Sequence, residues 1–223
     1  MRLTPSAILV STVATGVLTL AGSLPAGPAD ASPAVSVSPG RTAAHTHRVV
    51  VRPVDRHGHA VAGWTVKRQR GATASCDGAS PAAVSQNIVE CFPTAEYLPA
   101  CWKSGRHTVL CLRDARTHTL VRVRYTGSLP QVSAPKRPSP LDLRLAHHQA
   151  CSLRIGGAWS TLPSHPAWLG FYSCDRGSVY GPPTGDGVNR SHQPWTVHLW
   201  RRGTKQRVVV RQVRTAYYVG THR

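Results

Sequence analysis

The sequence predicts a mainly β protein: antiparallel strands and hairpins in one or two small disulfide-bridged sheet units, with one short helix. Three observations predict it. Apolar residues recur with a period of two, as in Leu120 to Tyr125, where Val121, Val123 and Tyr125 alternate with Arg122 and Arg124. Turn signals such as Ser104-Gly105 and Pro182-Pro183-Thr184-Gly185-Asp186-Gly187 separate those segments. Helix signals are scarce, and the 6 cysteines are even in number.

The elements follow in chain order. Residues 1–31 read as an export signal. Met1-Arg2 is a short basic start, Ala7 to Leu24 is apolar, and Ala29-Asp30-Ala31 offers small residues at a cleavage site after Ala31. Pro25 and Pro28 argue against an uncleaved membrane anchor, and Ser23 stands where a lipidated cysteine would be needed. No later run approaches the roughly 18 apolar residues that span a bilayer, so the expected product is secreted, extracellular and without a transmembrane segment once the signal is cut.

Residues 32–47 are Ser, Pro, Ala and Thr with few large apolar side chains and predict a flexible leader. Residues 48–128 make a first β-rich unit. Within it Val49-Val50-Val51 and Val61 to Val66 flank a turn at Asp55 to His59, which predicts a hairpin over 49–68. Ser80-Pro81 has the form of an N-cap followed by Pro at the first helical position, and Val84 and Ile88 fall one turn apart, so a helix is expected over 81–90. Cys101 to Arg113 folds about Ser104-Gly105 as a second hairpin. Residues 129–140 are Pro-rich and predict a linker or a long surface loop. Residues 141–223 make the second unit, with strands signalled by Leu141-Leu143-Leu145, Cys151-Leu153-Ile155, Trp168 to Cys174, Trp195 to Trp200 and Arg207 to Val219.

All the cysteines lie beyond the export segment. In an exported chain this predicts three disulfides rather than thiols. Cys101 and Cys111 are equidistant from one hairpin turn, and Cys151 and Cys174 sit on consecutive strands, which leaves Cys76 with Cys91. Each bridge is worth roughly 3 kcal/mol by chain entropy, which matters because neither unit alone buries a large core. No C-x-x-C spacing occurs, so a zinc site is not expected.

Catalytic patterns are absent. There is no H-E-x-x-H and no G-x-S-x-G elbow, and Asp114 and His118 share a turn with no serine to complete a triad. Glu90 and Glu96 are the only glutamates. The paired histidines His45/His47, His57/His59 and His147/His148 fall in the leader and in turns. No catalytic residue, metal site or cofactor is assigned.

Charge is the extreme feature. With 27 Lys+Arg against 9 Asp+Glu the net charge is +18, and cutting after Ala31 removes Arg2 and Asp30 and leaves it unchanged. Such a surface attracts polyanions. If the Val/Leu sides of the strands face the core, then Arg122, Arg124, Arg144, Arg154 and Arg211 point outward together, with His198 and Trp200 beside them. Arginine interleaved with an aromatic is a platform for phosphates or stacked bases.

The export signal, the Arg/Ala-rich composition, the spaced cysteines and the repeated Trp64-Thr65-Val66 and Trp195-Thr196-Val197 segments together resemble uncharacterised small secreted proteins of actinobacteria. That resemblance implies location and no activity. Tyr217-Tyr218-Val219-Gly220-Thr221-His222 is similar to the C-terminal Tyr-Tyr and His segment of small exported guanyl-specific ribonucleases. The similarity implies a catalytic His222, but no glutamate base follows Glu96.

The expected function is therefore a non-enzymatic exported binder of an anionic polymer such as teichoic acid, nucleic acid or anionic lipid headgroups. A small secreted ribonuclease or other hydrolase is the main alternative, and an inhibitor of another exported protein is a third.

Overall fold

The computed structural model describes residues 45–93, 96–155, 162–201 and 207–222. Residues 1–44, which hold the expected export signal at 1–31 and most of the expected leader at 32–47, lie outside these residues. No helix among the described residues is long and apolar enough to cross a membrane.

Strands β2 (Thr65–Ala79), β3 (Ile88–Pro93), β4 (Leu98–Gly105), β5 (Thr108–Asp114) and β6 (Thr119–Tyr125) form a closed barrel in chain order. Four successive antiparallel steps leave β6 running the same way as β2. The closing pair is therefore parallel, from Thr65 opposite Thr119 to Ala74 opposite Tyr125. A break in register between Arg68 and Thr73 bends the long β2 as the ring closes.

A second sheet holds β1 (His47–Val51), β7 (Asp142–Leu145), β8 (Ala150–Leu153), β9 (Leu169–Cys174), β10 (Gly177–Gly181), β11 (Val188–Asn189), β12 (Thr196–Trp200) and β13 (Val208–Val219). Its order is β1-β13-β7-β8-β9-β10-β12-β11, and β12 also pairs with β13. That extra pairing joins β13, β7, β8, β9, β10 and β12 into a ring. This ring is even-numbered, so every one of its pairings is antiparallel. β1 runs parallel beside the end of β13, His47 opposite Thr215 to Val51 opposite Val219.

The first barrel is buried on both faces of its strands. One face gathers Ala74, Val89, Leu98, Val109, Val121 and Val123 with the disulfides Cys76–Cys91 and Cys101–Cys111. The other gathers Ile88, Ala100, Trp102, Leu110, Leu112 and Leu120 against residues outside the barrel: Val54, Ala82, Ala83, Leu141 and Val219. This second cluster is the seam between barrel and sheet. The sheet has its own core of Leu143, Leu145, Tyr172, Val179, Leu199 and Tyr218, tied by Cys151–Cys174. The three bridges pair as the strand geometry of the sequence predicts, and no cysteine is free.

Three expectations are corrected. Residues 81–87 are turns and β3 begins at Ile88, so the helix expected over 81–90 is absent; the one helical element among the described residues is a 3₁₀ turn, Ala146–His148. The Ser80 hydroxyl does accept the Ala82 N–H, at 3.4 Å. Backbone partners from the chain end then take over. Val84 N–H donates to Val219 C=O at 2.8 Å, and Val219 N–H donates to Ala82 C=O at 3.0 Å. Sheet pairing consumes the groups a helix would have used.

The hairpin expected over 49–68 keeps only the bridge between Val54 and Ala60. Its arms diverge, because β1 joins β13 in the second sheet while β2 closes the barrel. β1 thus leaves the 48–128 unit to which the sequence assigned it.

The 129–140 segment is a surface loop strapped to its neighbours. Asn87 N–H donates to Val132 C=O at 2.8 Å and Ser139 N–H to Pro81 C=O at 2.8 Å, while Leu129 and Val132 pack on the barrel cluster.

Two substitutions test the seam. Leu141→Ala removes a side chain that is 5% exposed and should cost about 2–4 kcal/mol. At Gly58 the backbone has φ +82°, and an added Cβ would meet the Lys103 carbonyl oxygen at 2.2 Å. Gly58→Ala should cost about 2–4 kcal/mol by steric clash and left-handed strain. Urea unfolding of the oxidised protein measures both; an unchanged midpoint for either variant would remove its site from the seam's support.

Candidate anion-binding site

The outward arginines do not form one platform. Arg122 and Arg124 lie on β6 of the barrel, whereas Arg144 on β7 and Arg211 on β13 belong to the second sheet, and Arg154 follows β8. The alternation read from the sequence is real, but its strands belong to two different closed sheets. Arg122 stands in register with Arg68 of β2 and Leu110 of β5 and is half-buried. Trp200 packs edge-on to Tyr180 with ring centroids 6.3 Å apart, and its buried indole N–H has no hydrogen-bond partner. Trp200 as a whole is half-exposed on β12.

Arg144 does acquire basic neighbours. Together with Arg214, His147 and His148 it surrounds a cavity of about 490 Å³, completed by Leu145 and Ala146, and no carboxylate lines it. The local chain explains the arrangement. Val213 opposes Leu145 and Thr215 opposes Arg144, so Arg214 sits at a break in register and is exposed. A bulge re-aims a side chain in this way.

Between β7 and β8 the chain reverses through the 3₁₀ turn, where Leu145 N–H donates to Gln149 C=O at 2.8 Å. His147 (φ 63°) and His148 (φ 58°) are consecutive left-handed residues, and both are exposed. That conformation is uncommon for residues other than glycine and is held only where the surroundings enforce it. Here the pairings of β7 and β8 and the Ala150 N–H bond to the Asp175 carboxylate, at 3.1 Å, fix both ends of the turn. Four basic side chains brought together without a counter-charge attract an anion. Arg214 was invisible as a site residue in the sequence because a bulge leaves no mark on the alternation.

Two other clusters gather titratable groups. Asp55 folds its own turn: its Oδ1 accepts the N–H of His57 at 2.8 Å and of His59 at 2.9 Å. Its Oδ2 lies 3.6 Å from His59 Nδ1. The His59 N–H, above all, holds the Asp55 carboxyl below the usual aspartate range. A parallel bridge sets His222 beside Asp55. Beside the second sheet the rings of His165, Trp168 and His198 make two successive tilted contacts, with centroids 3.9 and 4.7 Å apart.

Sulfurs of Cys91, Cys101 and Cys111 lie within 4.8 Å of one another. All three are locked in disulfides, so they present no thiolate to a metal.

No protein family, curated protein or solved structure matches the chain.

The His198 imidazole is pushed below its ordinary range, first by desolvation and then by His165. Its proton is therefore bound more weakly in the folded chain than in the unfolded one. The stability this site supports is full at neutral pH and falls as pH drops through about 6.5, the ordinary histidine value. An NMR titration should place the His198 midpoint below that value, and His165→Asn should raise it part of the way. A midpoint at or above 6.5 would contradict the partial desolvation of His198.

Proposed function

We propose that the protein is an exported, non-enzymatic binder of anionic polymers, and that the pocket of Arg144, Arg214, His147 and His148 is its principal contact. The observation that carries this reading is a cavity lined by four basic side chains and no acid, held open by a bulge and a doubly left-handed turn. Such rigid cationic geometry favours repeated anionic groups over a single neutral ligand, because each contact releases counterions. The three disulfides agree with an oxidising compartment, as the export signal at 1–31 implies.

One observation favours the hydrolase alternative as a second reading. The Asp55 turn sets a carboxylate against His59, with His57 alongside and His222 bridged to the same residue. A carboxylate that orients an imidazole is the beginning of general acid–base chemistry. Both histidines of the turn are exposed and the Asp55 carboxylate is already engaged by the turn's own amides, so binding is the leading reading.

Charge reversal tests the pocket. In a polyphosphate titration across a salt series, Arg144→Glu with Arg214→Glu should weaken binding at least tenfold at low salt. The two lost phosphate contacts should flatten the slope of log K against log salt by about 1.4. Affinity unchanged in the double variant would overturn the assignment. RNA added to the same series reports the alternative: shortened RNA that survives in the Arg144/Arg214 variant but not in His59→Ala would put hydrolysis first.

A further inference from the structure

A groove on the first barrel has the same character, and one end of it is walled by the Asp55 turn described above. It consists of two adjoining cavities of about 370 Å³ each, which share Asn87 and Lys103 in their walls. One is bounded by the Asp55–Gly58 turn, Ser85 and Thr221. The other is bounded by Arg106 and the start of the strapped loop at Gly127 to Gln131. Gly58 seats the first turn directly on the β4 backbone, which fixes the groove's width at that end.

Its charge is one-sided. Arg56, Lys103 and Arg106 are exposed, and among the described residues no carboxylate pairs with them. Asp55 is the one acid in either wall, and its carboxylate is engaged by the amides of its own turn. Between the cations lie neutral amide and hydroxyl side chains: Gln86, Asn87, Ser128 and Gln131. Cations interspersed with hydrogen-bonding groups suit a chain that alternates phosphates with hydroxyl-bearing carbons.

The aromatic residues in the walls decide against nucleic acid. Trp102 and Tyr125 are 3% and 6% exposed, so neither presents a ring face. Single-stranded nucleic acid draws about 1–3 kcal/mol per base from stacking on such faces, and this groove offers none. The ligand it fits is a phosphodiester chain without bases.

We infer that this groove is a second contact for the polymer of the proposed function, resting on that reading, and that the polymer is a polyol phosphate rather than a nucleic acid. Two separate cationic contacts on one rigid protein make affinity depend on polymer length, because a chain long enough to reach both binds the second site intramolecularly.

The test uses the full oxidised protein with poly(glycerol phosphate) of graded length and with single-stranded RNA homopolymers of matched phosphate number. Wild type should bind the longer polyol phosphates more tightly and should treat the RNA homopolymers alike. The triple variant Arg56→Ser, Lys103→Ser, Arg106→Ser should lose the length dependence, and its salt slope should flatten by about 2, three contacts at single-strand weight. Lys103→Arg alone should retain both behaviours, which separates lost charge from lost fold. If the triple variant keeps slope and length dependence while Arg144→Glu with Arg214→Glu weakens binding, the groove is not a contact and the pocket reading survives alone. Absence of binding in wild type at low salt would remove both. Tighter binding to RNA with a preference among bases would overturn the polyol assignment.

Discussion

The architecture depends on one strand used several times over. β13 pairs with β12 through its first half and with β7 through its second, which closes the ring of the second sheet. β1 lies along its end, and Val219 exchanges backbone hydrogen bonds with Ala82 and Val84 of the turn that leads into β3. Val219 is also fully buried in the seam that joins the sheet to the first barrel. A strand with so many partners must run straight through most of its length, and its one break in register is where Arg214 emerges. The basic pocket thus lies at the break in register close to where β13 changes partners.

Closure of the two sheets also explains where the charge resides. A strand in a closed ring has no free edge, so its backbone polar groups are consumed by pairing and the side chains alone face solvent. Acidic residues in the described chain are few, and several serve the fold: Asp55 and Asp175 hold turns, and Asp186 pairs with Arg190. Among the described residues, basic side chains without a carboxylate partner lie both within strands, as Arg122 and Arg211 do, and at turns and bulges, as Arg56 and Arg214 do.

Much of the fold was legible in the sequence. The period-two segments became strands, and the cysteines could be paired because two of the pairs follow from the symmetry of a hairpin and the adjacency of two strands. What failed did so for long-range reasons. Ser80-Pro81 carries a sound local helix signal, but hydrogen bonds from Val219, far along the chain, outweigh it. Val49 to Val51 looked like the first arm of a hairpin because the turn beside it is genuine, while its partner lies on β13. The arginines of the expected face are divided between the barrel and the second sheet. No alternation pattern says which of two rings a strand will enter, nor that Arg214 will stand beside Arg144.

The central claim, that an anionic polymer seats at the turn between β7 and β8, is tested most directly by a chemical-shift map of the ¹⁵N-labelled protein titrated with poly(glycerol phosphate) at low salt. The account predicts the largest shifts at Arg144, His147, His148 and Arg214, fading as salt is raised. Shifts concentrated on Arg122 and Arg124, with the β7–β8 turn silent, would contradict it.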